Sequence, residues 1–211
     1  MRCTTVGLAL VFLALLAPPV SAQVPWESPL LLGPGSPGGV SLFLVDPGDG
    51  LGGMVQWQGR ERERRLGFRA GVAEDHQDDL AAFGGVDFTG SLLTHSEEFP
   101  LDLIWVTGMG LGIGDAAVIS IPVGVSLGRV LTERNLWFHP YVSTRLVVDA
   151  FLGEGDSYGF GGGGRRGGDD DLELGLVVDF GADFSFAGSW ALRIGASVGD
   201  REGLAVGFSI G

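Results

Sequence analysis

The stretch DLELGLVVDFGADF, residues 171–184, decides the fold of this chain. Every second side chain from Leu172 onward is apolar, whereas the alternate positions include Glu173, Asp179 and Asp183. A period of two places these two sets on opposite faces of a β-strand. The strand is longer than the about five or six residues that are usual in soluble proteins. The apolar face therefore meets either the core of a soluble barrel or sandwich, or the lipid around a membrane barrel.

The same alternation recurs along the chain and predicts an all-β protein. Strands of similar spacing, joined by turns rich in Gly, Pro and Asp, favour an antiparallel meander that closes into an up-and-down transmembrane β-barrel. The first two strands have the weakest patterns, so a barrel of eight strands is the alternative to one of ten. The predicted strands span residues 39–46, 51–58, 65–73, 79–90, 100–111, 117–128, 136–149, 172–185, 188–198 and 202–210.

The beginning of the chain has the pattern of a cleaved secretory signal peptide. A basic start, the apolar run VGLALVFLALL and small residues before Gln23 are its three parts, and they place the signal peptide at residues 1–22. The Pro- and Gly-rich residues 23–38 are interpreted as an N-terminal lead, and residues 39–211 as the barrel domain. Because the one cysteine, Cys3, falls within the signal, disulfides and thiolate metal sites are excluded from the exported chain.

Composition excludes several classes of partner. The formal net charge is −13, and all 13 cationic residues are arginines, which argues against nucleic acid binding. No apolar window after the signal is long enough for a spanning helix, which needs about 20 residues. Glycine is abundant, with 38 residues, and much of it lies within the predicted strands. Barrel strands tolerate such glycines where the lumen is crowded or the sheet bends.

The aromatic residues favour the membrane orientation. With both ends of the barrel domain in the periplasm, the longest connection, residues 150–170, is extracellular. Six aromatic side chains then collect at the periplasmic rim, as expected of an interfacial girdle. These residues are Trp57, Phe88, Trp137, Phe184, Trp190 and Phe208.

Charged residues on the polar faces then point into the lumen. Because buried charges need partners, we expect an ion-pair network that largely fills the lumen. Barrels of about eight strands have room for little but side chains, and ten strands add modestly to this. The predicted network consists of Arg69, Asp87, Asp102, His139, Arg145, Glu173, Asp179, Asp183 and Arg193.

Short motifs resemble a known family. The segments IPVGV (residues 121–125) and FHPYV (138–142) look like a pair found in small outer-membrane barrels of the OmpA/OmpX-like superfamily, and residues 195–207 are similar to its last hairpin. The resemblance implies a closed barrel in a Gram-negative outer membrane, in contact with lipid and lipopolysaccharide and inserted by the barrel-assembly machinery. Members usually end on an aromatic residue, whereas this chain ends FSIG. The family has no uniform biochemical activity.

Nothing in the sequence indicates an enzyme, a cofactor or a metal site. His76 and His95 lie in acidic connections and are interpreted as solvated, and His139 as a hydrogen-bonding residue of the lumen. No nucleophile elbow or catalytic carboxylate pair accompanies them. The connection at 153–171 contains four glycines followed by Arg165 and Arg166, and three consecutive aspartates, but it lacks the spacing of a phosphate loop or an EF-hand.

We therefore expect an outer-membrane β-barrel of the Gram-negative cell envelope with a structural, adhesion or interaction role. The porin-like alternative is a narrow passive pore for small solutes. The third possibility is a soluble secreted, lipocalin-like binder of an apolar ligand, with the apolar faces inside. The identity of any specific protein partner is not encoded in these patterns.

Overall fold

The computed structural model describes residues 26–47, 50–61, 63–74, 80–114, 117–134, 136–152, 172–185 and 190–210. The predicted signal peptide, His76 and the connection at 153–171 lie outside these residues. The described part of the chain contains eleven β-strands. They are β1 (Gly39–Asp46), β2 (Gly52–Gln58), β3 (Arg64–Glu74), β4 (Leu80–Leu93), β5 (Asp102–Ile113), β6 (Ala117–Gly128), β7 (Leu131–Glu133), β8 (Leu136–Leu152), β9 (Leu172–Ser185), β10 (Trp190–Gly199) and β11 (Gly203–Ile210).

Ten of these strands form a closed wall. Neighbours along the chain pair antiparallel, β6 pairs with β8, and β1 pairs with β11, which joins the two ends of the sheet. The short β7 pairs with β8 at the hairpin between β6 and β8. The predicted all-β, closed antiparallel barrel is confirmed, and with ten strands in its wall. Both strands with weak sequence patterns, β1 and β2, belong to it.

The two ends of the barrel differ in what they carry. We call the end where β1 begins and β11 ends the lower rim; the turn after β2 and the β6–β8 hairpin lie there as well. The opposite end, which carries the β10–β11 turn and the long connection from Leu152 to Leu172, is the upper rim. Strand alternation thus assigns every connection to one rim.

Alternation along each strand divides the wall into a polar inside and an apolar outside. In β9, Asp179 and Asp183 are buried in the lumen, whereas Leu174 is 68% and Phe180 is 52% exposed. In β1, Leu44 is 64% exposed between the buried residues Phe43 and Val45. A closed ring has no other interior, so the buried residues of the wall face the lumen.

The core of the molecule includes a segment that precedes β1. Leu30, Leu31 and Leu32 lie inside the barrel and are at most 1% exposed. They contact apolar residues of the wall, and the two resulting clusters are Trp26, Leu31, Phe43, Val45, Met54, Ala73, Ala81, Phe83 and Ala205, and Leu30, Leu32, Ile104 and Val106. The stretch interpreted as a lead therefore contributes directly to the interior.

Candidate functional site

Residues 26–38 run through the lumen, and we call them the plug. The segment forms no strand of its own. Near its beginning Glu27 contacts Arg201 in the turn at the upper rim, and near its end the carbonyl of Ser36 accepts a hydrogen bond of 2.7 Å from Arg65 at the lower rim. The plug then continues into β1. It thus spans the barrel from one rim toward the other.

Wall side chains replace the sheet partners that the plug lacks. The two terminal nitrogens of Arg69 donate to the carbonyls of Pro29 and Leu30, at 3.3 and 2.7 Å. Arg193 Nη2 donates to the carbonyl of Leu31 at 2.7 Å. Buried backbone groups need such partners because water is excluded from around them. Three consecutive peptide carbonyls are satisfied by two arginines.

Two backbone amides of the plug are held by the wall. The amide of Leu30 donates to Asp179 Oδ1 at 3.1 Å, and the amide of Gly35 donates to His139 Nε2 at 3.2 Å. Because Nε2 accepts here, the proton of a neutral His139 lies on Nδ1, 3.2 Å from Asp183 Oδ2. His139 thus links the plug to a carboxylate of β9.

Polar side chains of the plug also contact the wall, although Glu27 Oε2 is buried without a hydrogen-bond partner among the described residues. Glu27, the one charged residue of the segment, lies 3.1 Å from Arg145 Nη1 and also contacts Arg201. Burial lowers the pKa of Arg201 to about 9, which still leaves its guanidinium charged at neutral pH beside Glu27 and Asp149. Ser28 donates to Ser197 Oγ at 2.9 Å.

The Trp26 indole occupies a slot floored by glycines. A Cβ atom on Gly85 or Gly110 would overlap the ring, and one on Gly108 would come within 2.9 Å of it. The indole nitrogen donates to the carbonyl of Ser120 at 3.2 Å. The guanidinium of Arg69 lies 5.5 Å from the ring centroid, a distance typical of a cation–π contact. Trp26 thus fills the space that side chains at these wall positions would otherwise occupy.

Beneath these contacts, the wall carries its own ion pairs. Arg145 makes two bonds to Asp179, of 2.8 and 3.1 Å. Arg193 Nε lies 2.9 Å from Asp183, its direct cross-strand neighbour between β10 and β9. A third pair joins Arg69 and Asp87, 3.3 Å apart, between β3 and β4. Each arginine therefore pairs with a wall carboxylate, and each also binds the plug.

The lumen is close to electrically neutral. Its buried charged residues among those described are four arginines and five carboxylates, together with His139. Unpaired charge in such a space would cost several kcal/mol per ion, about the penalty for removing it from water. Because the positive and negative charges nearly balance, a barrel with so many buried charged residues can be stable. The buried residues are Glu27, Arg69, Asp87, His139, Arg145, Asp149, Asp179, Asp183, Arg193 and Arg201.

The nine residues predicted for the lumen network separate into two groups. Seven of them are buried in the lumen, and the remaining two lie toward the rims. Asp102 lies at the lower rim, where its carboxylate accepts from the His95 amide and contacts the His95 ring at 2.9 Å. Glu173 is half-buried near the upper rim and pairs in register with Asp149. The structure brings together Arg69, Asp87, His139, Arg145, Asp179, Asp183 and Arg193.

The six predicted girdle residues all lie nearer the lower rim than the upper one. Trp57, Phe88 and Phe208 are each more than 40% exposed, and the other three are half-buried. Trp190 stacks on Phe208 with ring centroids 5.3 Å apart. Phe184 stacks on Phe138 at 4.8 Å, and Trp57 meets Phe68 at 5.8 Å. Four of the six thus contact another aromatic ring on the outside of the wall. Trp137 instead has the inward parity of β8, and its ring centroid lies 5.8 Å from that of His139.

Sequence reasoning missed the plug, including Trp26 and Glu27, and it missed Arg201, which contacts the plug. These residues belong to no alternating pattern, so a search for strand periodicity passes over them. Two signals were present: three consecutive leucines inside a Pro-rich lead, and many glycines on faces that should fill a lumen. Together these signals require a filler from outside the wall.

Comparison with protein-family models, with curated proteins and with solved structures found no match to this chain. In the part of the chain that the structure describes, no helix is long and apolar enough to cross a membrane. Among the same residues, no group of three or more His, Cys, Asp or Glu side chains is arranged to hold a metal ion.

Proposed function

We propose that this chain is an outer-membrane β-barrel protein of a Gram-negative bacterium, with a structural, adhesion or interaction role and a filled lumen. The observation that carries the proposal is the inverted polarity of the barrel. Its outward side chains form a continuous apolar surface, whereas its lumen holds four arginines and five carboxylates. A protein dissolved in water rarely exposes such a patch, and lipid is the environment that stabilises it.

The positions of other features support the same orientation. The six predicted girdle residues lie toward the lower rim, where both ends of the wall meet, and the longest connection lies at the upper rim. In outer-membrane barrels, short turns face the periplasm and long loops face outward. Lipid and lipopolysaccharide are then the surroundings of the wall, and the barrel-assembly machinery the route of insertion, as the resemblance to OmpA/OmpX-like barrels implies.

The lumen supports this role over the two alternatives. A lipocalin-like binder also uses a closed barrel, but it holds its apolar ligand inside, where this chain places charged residues and its own plug. A passive pore needs a continuous passage, and the plug crosses the lumen. The proposed role includes no catalysis, since His139 is fully buried between Asp183 and the plug.

Fractionation with a gel-shift assay tests the proposal. The exported protein should sediment with outer membranes, resist extraction by carbonate, and dissolve in detergent. Its electrophoretic mobility should change on boiling, because a closed barrel stays folded in the unboiled sample and unfolds when it is boiled. A periplasmic protein of known fate in the same cells serves as the control. A chain that is recovered in the soluble fraction without detergent would contradict the membrane location.

A further inference from the structure

The plug is structurally separable from the wall. Every wall strand finds both of its neighbours in other wall strands, so no backbone ladder depends on residues 26–38. The ion pairs Arg145–Asp179, Arg193–Asp183 and Arg69–Asp87 also join wall to wall. If the plug left, these pairs would persist and water would replace its carbonyls. Its departure therefore does not leave the arginines without partners.

The contacts that hold the plug are those of a peptide-binding site. Arginines donate to successive carbonyls, Asp179 accepts from an amide, and these groups occur in any extended peptide. Specificity comes from the glycine-floored slot for Trp26 and from the arginines beside Glu27. Prolines and glycines make the segment irregular, with a turn closed by the Ser36 amide and the Gly33 carbonyl, so the wall binds it without adding it as a strand.

We propose that the lumen is a peptide-binding channel, that residues 26–38 are its releasable occupant, and that their release opens a passage for ions. Binding of the plug does not depend on whether the barrel lies in a membrane, so this inference goes beyond the proposed function. The passage through the barrel would be lined by both signs of charge, which favours small ions over apolar solutes.

The test uses the full chain with a reversible lock between plug and wall. Ser28 Oγ and Ser197 Oγ are 2.9 Å apart, and the exported chain has no cysteine of its own, so Ser28→Cys with Ser197→Cys gives a single disulfide. Trp26→Ala is added to loosen the plug. In planar bilayers, the reduced protein should show conductance steps, and the oxidised protein should be silent.

A synthetic peptide tests the specificity of the channel. An acetylated peptide of residues 26–38 should suppress the openings of the reduced Trp26→Ala protein. The same peptide carrying Trp26→Ala should need at least about a tenfold higher concentration, the usual effect of losing a buried aromatic anchor. A peptide carrying Pro37→Ala, whose altered residue lies near the lower rim, is the matched control and should act like the native one.

Two results would overturn the proposal. The reduced and oxidised proteins conduct equally, or both remain silent while the gel shift shows them to be folded. If Trp26→Ala prevents folding, Trp26→Phe takes its place, because it keeps a ring in the slot. The reduced Trp26→Phe protein is then expected to open, although rarely.

A readout in detergent separates this inference from the membrane proposal. In the single variant Ser28→Cys, a water-soluble maleimide should label the thiol slowly, and addition of Trp26→Ala should raise the rate at least about tenfold. This measurement needs no bilayer. Equal labelling rates would contradict a releasable plug, wherever in the cell the barrel is found.

Discussion

At the scale of single residues, the lumen is stabilised by side chains that each serve two partners. Arg145 is the clearest case, since it binds Asp179 on β9 and Glu27 on the plug. Removing one member of a buried network leaves the others charged and unpaired, which costs more than the net contribution of the pair itself. Stability of the lumen is therefore concentrated in a few arginines.

Arg145→Ala should lower the free energy of unfolding by about 3 kcal/mol or more, because buried Asp179 loses its arginine and buried Glu27 loses one of its two. Permeability should change less than stability. The measurement is thermal or urea unfolding of the detergent-solubilised barrel. Arg129→Ala is the matched control, since Arg129 donates to the carbonyl of Pro100 at the exposed lower rim. Unchanged melting of Arg145→Ala would contradict the network.

The glycines of the lumen give a second prediction at this scale. Gly110→Ala places a methyl group in the slot of Trp26 and should destabilise the protein by about 1–3 kcal/mol, the usual cost of overpacking. Gly53→Ala adds the same methyl where no atom lies within 4 Å, and should be neutral or stabilising. Unfolding by urea distinguishes the two. Equal effects would show that the slot does not constrain the indole.

At the scale of the element, each wall strand has one face toward the lumen and one face toward the surroundings of the barrel. In β9, Phe180 lies near the middle of the outer face, whereas Leu172 begins the strand at the upper rim. Both side chains are more than half exposed. In water, a charge at either position is tolerated equally well. In a bilayer, the cost of a charge depends on its depth.

Phe180→Arg should therefore reduce stability in lipid vesicles by about 2–4 kcal/mol, and Leu172→Arg by about 0–1 kcal/mol. Refolding into vesicles, followed by urea titration, measures the difference. Equal losses for the two variants would argue for a surface that faces water.

Much of the architecture could be predicted from sequence because alternation is a local signal. The pattern around Asp179 and Asp183 identified β9, and the repeated period gave a closed barrel with ten wall strands. Seven lumen residues followed from the same parity. Asp102 has the inward parity but lies at the end of β5, so height along the strand, which parity does not encode, decided its partner. The plug has no sequence period, so its position inside the barrel became evident only from the structure.

At the scale of the whole molecule, the wall and the plug together fill the interior of the barrel. A ten-stranded ring encloses more volume than its own glycine-rich lumen faces fill, and the segment before β1 occupies the remainder. Polar wall residues then find partners in a peptide instead of in water. The resulting interior is close to neutral and filled, although it contains four arginines and five carboxylates.

The plug also bears on how the ring closes. The seam between β1 and β11 pairs Val40 with Ile210, which joins the first wall strand to the last, and such distant pairings are entropically costly and slow to form. Contacts of the plug with β10, from Ser28 to Ser197 and from Leu31 to Arg193, span 169 and 162 residues. They hold Ser28 and Leu31 beside β10, one strand away from the seam. A plug that binds β10 before the ring closes would thereby shorten the search for the last pairing.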